Sequence, residues 1–425
     1  MPESYNIDLI RKQFPALAQS SNGKPWVFFD NPGGTQVPQR VIDAISRCLV
    51  ESNANLGGAF ITSQRADAVV VEAHQAMADF LNAKSPAEII FGQNSTTLTF
   101  HMSRTLGQLF KPGDEIILTT MEHDANVTPW ELLARDLSLE IKRLPFNTEN
   151  FEFDLSKLDD LISDKTRLLC INHSSNMLGT INDIKAAVEI AHNHGVLVYV
   201  DSVQYAPHGP LDVQDLGCDF LMCSPYKFFG PHMGVLWARS EILEDLKPYK
   251  LRATVNQAPD CYELGTLSHE AMCGVTAAVD HFAWIGSELA SDKHREHWQQ
   301  FSGRRQMVHA AMNYLFEYEM ALTKRLIAGL QQISSIRVQG ITDPAAMKRR
   351  VPTISFTIKG MDPESLAVHL ASKNIFVWHG HNYAIEPAKA LDIYDSGSVL
   401  RVGLAHYNTE QEVDLALQEI RNHTQ

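Results

Sequence analysis

Short apolar runs alternate with helical patterning through the first two-thirds of the chain. "AEIIFGQ" (87–93), "DEIILTT" (114–120), "TRLLCINH" (166–173), "VLVYVDS" (196–202) and "CDFLMCS" (218–224) are rich in β-branched or aromatic residues. Each is bounded by turn or polar residues, which is the pattern of strands. Between them lie "STTLTFHMSRTLGQLF", "ANVTPWELLARD" and "DIKAAVEIAHNHG", the last closed by a glycine, and these predict helices. Strands alternating with helices predict crossover units and a mostly parallel sheet covered on both faces. "MGVLWA" (233–238) adds a further strand, expected to run antiparallel at an edge.

From about residue 281 the rhythm changes to long helical text, "HFAWIGSELASDKHREHWQQFSGRRQMVHAAMNYLFEYEMALTKRLIAGLQQI". "VPTISFTI", "DPESLAVHLASKN", "IFVWHG", "SVLRVGLAHY" and a closing helix "TEQEVDLALQEIRNH" follow. This part predicts a smaller α+β domain, with a cleft between it and the larger one. The expected division is an N-terminal segment (1–26) packed with the small domain, a large domain (27–290) and a small domain (291–425). No repeat or low-complexity segment interrupts it.

Composition narrows the function classes. The chain has 425 residues, 44% of them apolar, enough for a sizeable core split over two domains. Lys+Arg 36 against Asp+Glu 50 gives a formal charge of −14, so the basic footprint that nucleic acid or an anionic membrane requires is missing. No segment reaches the ~18 uninterrupted apolar residues of a membrane span, and the amino terminus carries scattered charges, so a cytoplasmic protein is expected. Cys48, Cys170, Cys218, Cys223, Cys261 and Cys273 lie far apart without a C-x-x-C pair, as in a reducing compartment.

Three features fall just past strand ends, where ligands collect in doubly wound sheets. Lys227 sits in "SPYKFFGP", flanked by Tyr226, Phe228 and Phe229. Asp201 directly follows "VLVYV", and "GQNSTT" places hydroxyl residues at a helix start, where N–H groups and the helix dipole favour a phosphate. Singly, these read as a solvated lysine, a turn residue and an ordinary cap. Together they match what pyridoxal 5'-phosphate needs: a phosphate cradle, a carboxylate for the pyridinium and an amine for a Schiff base. Apolar neighbours favour the neutral amine, because burial disfavours the charged form. A nicotinamide dehydrogenase would need a G-x-G-x-x-G after an early strand, which is missing. The alternating histidines of "HNH" (192–194) fall on different faces of a predicted helix, and no carboxylate cluster accompanies "HGH" (379–381), so neither reads as a metal site.

The chain resembles the class V aminotransferase superfamily of fold-type I pyridoxal phosphate enzymes, in its cysteine desulfurase and selenocysteine lyase branch. The resemblance runs from "VFFDNPGGTQVP" (27–38) to "LRVGLAHYNT" (400–409). It is carried by "GDEIILTTMEHDANVTPW" (family "EHHAN"), "NHSSNMLGT" (family "HVSNVLGT"), "DSVQ" (family "DGAQ"), the lysine segment "DVQDLGCDFLMCSPYKFFGP" and "YELGT" (family "FEAGT"). The implied fold is α/β: a large domain with a mostly parallel, seven-stranded-type sheet and a smaller C-terminal α+β domain. The resemblance implies that Lys227 holds the coenzyme and shuttles protons at the substrate α-carbon. Asp201 would keep the pyridinium protonated, and His123 would stack on the ring. Asn176 and Gln204 would reach the phenolic oxygen; Ser95, Thr96, Ser224 and Tyr226 would grip the phosphate. Thr266 would serve the site of a neighbouring subunit, which implies a homodimer, and Arg401 would bind the carboxylate of an amino-acid substrate as a bidentate pair.

The chain departs from the desulfurases at one pocket. Their nucleophilic loop, approximately "RTGHHCA", is here "WHGHNYA" (378–384), so Tyr383 stands where the thiol belongs. No cysteine follows Cys273, and a phenol cannot carry sulfur as a persulfide. Gly57 and Gly58 in "ANLGGA" replace a histidine and an arginine of the family's "ANVHRG", and Tyr226 replaces a histidine. The expected activity is a C–S lyase of β-elimination type without a loop persulfide, with Tyr383, His379 or His381 lining the substrate side and supplying an acid. Transamination or epimerisation is the alternative, and a non-catalytic scaffold with the same fold a second one. Cys261 or Cys273, near "YELGT", is a further candidate for a redox or sulfur-carrying thiol.

Overall fold

A computed structural model describes residues 5–424. The six apolar runs and one further segment, Glu140–Leu144, which no apolar run marked, form one sheet: β1 (Ile89–Gly92), β2 (Glu115–Thr119), β3 (Glu140–Leu144), β4 (Thr166–Asn172), β5 (Leu197–Asp201), β6 (Phe220–Cys223) and β7 (Gly234–Ala238). Their spatial order is β1-β7-β6-β5-β4-β2-β3. Every pairing among β6, β5, β4, β2 and β3 is parallel. β7 is antiparallel to both its neighbours, β6 and β1. The expected edge position of "MGVLWA" is therefore corrected: the strand is interior. Its reversal follows from the connector 224–233, which carries only a 3-10 turn at Pro225–Lys227. That is too short for the crossover of about a dozen residues that a parallel return needs. As a result, the start of β7 meets the same sheet edge as the ends of the other six strands.

Nine longer helices cover the sheets: α1 (Gln39–Glu51), α2 (Ile61–Leu81), α3 (Ser95–Gly107), α4 (Thr128–Leu137), α5 (Ile184–Asn193), α6 (His269–Glu288), α7 (Gly303–Gln331), α8 (Pro363–Ser372) and α9 (Glu410–Thr424). The helical text expected from residue 281 breaks into α6, a short helix Asp292–His297 and α7. The breaks fall at polar punctuation, with Ser291 and Ser302 at the N-cap positions. No described helix is long and apolar enough to cross a membrane.

A second sheet contains β8 (Ile336–Gln339), β9 (Thr353–Ile358), β10 (Trp378–Gly380) and β11 (Val399–Gly403) in the antiparallel order β8-β9-β11-β10. α7 joins the two halves physically. Val308, Ala311 and Leu315 pack into the core under the large sheet, whereas Leu322, Leu326 and Leu330 pack with Ile354, Leu400 and Ile420 against the small one. The N-terminal segment crosses this junction: Tyr5 stacks on Tyr318 at 3.6 Å, and Arg11 pairs with Glu412 at 2.8 Å. Residues Val27–Phe28 also pair in parallel with Ile375–Phe376.

Candidate active site

The edge where six strands end opens into a cavity of about 810 Å³, closed on its far side by β10, β11 and the loop after β10. Ser95, Thr96, His123, Asn176, Asp201, Gln204, Tyr226, Lys227, His379, His381, Tyr383 and Arg401 all line it. Ser224 stands behind that surface, fully buried, with an Oγ that has no hydrogen-bond partner. Thr266 lies elsewhere, in a groove with Cys48, Asn55 and His269. Gly57 and Gly58 are likewise outside the cavity lining; Gly57 N–H is held by Asp67 and Gly58 N–H by Ser63.

The anion end is built by α3. Asn94 caps the helix by accepting from Thr97 N at 2.8 Å, and Thr97 Oγ1 returns to Asn94 N at 3.3 Å. This capping box consumes the third helical N–H and leaves those of Ser95 and Thr96 facing outward at the positive end of a helix. Gly234, at the start of β7, approaches so closely that a Cβ would lie 2.6 Å from Ser95 N. Ser224, which ends β6's run three residues before Lys227, adds a buried hydroxyl whose Oγ has no hydrogen-bond partner. This donor set fits a phosphate.

Lys227 follows β6 through the 3-10 turn, its Nζ donating to the Pro32 carbonyl and lying 4.9 Å from the Tyr226 ring centre. Burial pulls its pKa down to about 7, with cationic Arg401 adding to the drop and Asp201 opposing it. A substantial share of the amine is therefore neutral at physiological pH. Asp201 ends β5, accepts from Val203 N at 2.9 Å, and is pushed up to about 6 by burial, against the pull of that bond and of Lys227. His123 is pushed down to about 3 by burial and by the charges of Lys227 and Arg401. Its Nδ1 accepts from Ala125 N at 3.0 Å, which places the proton of the neutral ring on Nε2.

Arg401 lies on β11, buried, with Nη1 donating to the Asn176 carbonyl at 2.9 Å and Nε without a partner. Burial draws it down to about 9, opposed by Tyr226 and Asp30, so it stays charged at neutral pH. A buried guanidinium with an idle N–H has the donor geometry to accept a carboxylate as partner. Asn176 keeps its Oδ1 free and uses Nδ2 to hold the Asn382 carbonyl at 2.8 Å. Gln204 reaches Thr353 Oγ1 at 3.5 Å.

Sequence reasoning missed two carboxylates here. Glu122 is fully buried and takes hydrogen bonds from Thr119, Asn126 and the Asn172 N–H. Burial raises it to about 8, with the charge of Asp201 adding and those donors opposing. Asp30, in the quoted "FFDNPGG", is raised to about 6 by burial, against its own backbone bond and Arg401. Neither carried a local signal, because each gains meaning only from neighbours distant in sequence. All six cysteines are free and none lines the cavity; Cys261 is buried and Cys273 half-buried.

Comparison with known proteins bears on this arrangement. The aminotransferase class-V family model matches residues 27–416. The chain belongs to that family. A probable cysteine desulfurase of Synechocystis is 32% identical, the match covering 97% of this chain and 94% of the relative. An aminotransferase-like protein of Gibberella zeae is 34% identical, with 97% and 96% covered. The apo cysteine desulfurase of Thermococcus onnurineus superposes with a TM-score of 0.85 at 25% identity, covering 98% of each chain. The fold is thus the α/β fold of fold-type I enzymes, and the chain is a pyridoxal-phosphate-dependent enzyme of cysteine desulfurase-like type.

Proposed function

We propose that this enzyme is a C–S lyase that eliminates a sulfur-bound group from the β-carbon of an amino acid, with no sulfur passed to a loop cysteine. The observation that carries the reading is a cavity that pairs a buried Lys227 amine, its pKa lowered by burial, with a buried Arg401 and has no cysteine among its described lining residues, Tyr383 occupying the loop instead. Lys227 would hold pyridoxal 5'-phosphate, Asp201 would face its ring nitrogen, and Ser95, Thr96 and Ser224 would bind its phosphate. When bound, the coenzyme supplies an electron sink for charge developing at the substrate α-carbon.

The chain's own groups then divide the work. Arg401 orients the substrate by its carboxylate, matching planar fork to planar anion. Neutral His123 covers the coenzyme ring without bringing in a competing charge. Lys227, released as the substrate's own amine takes its place, would take the α-proton. The Cβ–S bond breaks with its electron pair remaining on sulfur, and Tyr383 gives its hydroxyl proton to that sulfur. A thiol leaves, and the three-carbon remainder hydrolyses to pyruvate and ammonia. Thr266, which lies outside this chain's own cavity, would serve the site of the other copy in a homodimer.

The relative named aminotransferase-like, at 34% identity, favours a second reading, transamination, which needs the same Lys227 and Arg401. One assay separates them: purified protein incubated with L- and D-amino acids and cysteine S-conjugates, following thiol, pyruvate, keto acid and stereochemical inversion. Stoichiometric thiol and pyruvate from S-conjugates is expected. A substrate-derived keto acid, an inverted α-carbon, or a protein persulfide that turns over contradicts the reading.

A further inference from the structure

Resting on that reading, we propose that the substrate side chain ends in a large, planar aromatic group without negative charge, which packs against Trp378 and Tyr383. Trp378 opens β10 and is the cross-strand partner of Arg401 on β11. Directly opposed residues of an antiparallel pair point to the same face with Cβ atoms ~5 Å apart. The indole therefore stands beside the guanidinium assigned to the substrate carboxylate. Gly33 makes room for it, since a Cβ there would lie 2.8 Å from the indole Cε2 and closer still to Nε1. Yet the tryptophan is 47% exposed and lines the cavity. Aromatic surface of this size, held in place and left uncovered inside a cleft, is characteristic of a binding wall.

Tyr383 supplies the second wall. Its side chain is 65% exposed, while its backbone is fixed. Asp124 N donates to the Tyr383 carbonyl at 2.8 Å, and Asn176 Nδ2 donates to that of Asn382 at 2.8 Å. Asn382 and Tyr383 adopt φ of 50° and 59°, a left-handed pair without glycine, and such strain persists where surroundings enforce it. The phenol ring is inclined by 29° to His123 at 5.4 Å and edge-on to His381 at 6.3 Å, with no stacking on Trp378 among the described ring contacts. Two aromatic faces thus border one cavity without covering each other.

Charge selects further. Lys227 and Arg401 are the lysine and arginine that line the cavity, and both are already assigned; the lining carboxylates are Asp124 and Asp201. Among the described residues that line it, an anionic side chain meets no lysine or arginine beyond these two. At about 810 Å³ the cavity lies high in the ~300–1,000 Å³ range of small-molecule sites, with volume left beyond a coenzyme and a small amino acid. A side chain as short as that of cysteine leaves both rings bare.

The test measures equilibrium binding of three amino acids without a β-leaving group to the coenzyme-loaded protein, by calorimetry and by change in the visible band. L-Homophenylalanine is expected to bind about tenfold or more tighter than L-norvaline, the ringless control, and L-glutamate more weakly than either. Trp378→Ala should bring the homophenylalanine-to-norvaline ratio close to one, and Trp378→Phe should restore most of it. Equal affinity of the first two ligands, tighter binding of glutamate, or a ratio unmoved by Trp378→Ala overturns the assignment. A protein with no borohydride-sensitive visible band overturns the coenzyme-enzyme reading beneath it; a coloured protein with equal affinities overturns the aromatic assignment alone.

Discussion

Replacing Gly234 by alanine places one methyl group against the backbone that forms the anion cradle. The added Cβ would meet Asn94 O and Ser95 N at 2.6 Å, both backbone atoms that no side-chain rotation can move aside. The start of α3 must therefore shift or strain, and overpacking of this kind costs about 1–3 kcal/mol. That cost appears in the melting of the coenzyme-free protein. The second effect is specific: moving the Ser95 and Thr96 N–H groups weakens one charge-assisted hydrogen bond to the phosphate, each ~1.5–3 kcal/mol. At about 1.4 kcal/mol per decade, coenzyme affinity should fall about 10- to 100-fold. Fluorescence or absorbance titration of Gly234→Ala apoprotein with pyridoxal 5'-phosphate, beside titration with pyridoxal, separates the two effects. The loss should be confined largely to the phosphorylated form. Wild-type affinity for pyridoxal 5'-phosphate in a variant whose melting temperature has dropped refutes the placement of the phosphate at α3.

Other consequences are equally open to measurement. The rate at which apoprotein captures pyridoxal 5'-phosphate should rise with pH through about 7, because the lowered pKa of Lys227 makes the neutral, nucleophilic amine dominant above that value; a rate that first rises near pH 10 contradicts the enclosed amine. Arg401→Ala should keep the coenzyme colour and weaken amino-acid binding about 100-fold, as expected for loss of a bidentate, buried partner, and equal substrate affinity would remove its assigned role. Tyr383→Phe retains the ring but removes the proton; thiol release should drop about 100-fold while exchange of the substrate α-proton with D₂O continues, and parallel loss of both would argue against a leaving-group acid.

Much of the scaffold was readable because its signals are local. β-branched runs and capped amphipathic stretches specify β1, β2, β4, β5, β6 and helices such as α3 and α5, and the cavity edge follows once strand ends are known, whereas β3, with the charged Glu140, Lys142 and Arg143, carried no such run. Lys227, Asp201 and Ser95 stood out for the same reason, each lying at a strand end or within four residues past one. What escaped was set by distant contacts. Whether β7 is central or at an edge depends on β1 arriving beside it, which its own five residues do not encode. Glu122 reads as an ordinary acid after a strand until Asn126 and the Asn172 N–H enclose it. Trp378 reads as one more strand residue, and its importance appears only when β10 is aligned with β11 and Gly33 is found beneath the indole.

Peptide mapping after borohydride reduction of the coenzyme-loaded protein probes the central assignment most directly. The account predicts a single modified peptide, "SPYKFFGP", with the reduced pyridoxyl group on the Nζ of Lys227. A coenzyme mass on another lysine, or a protein that retains no label after loading and reduction, contradicts it.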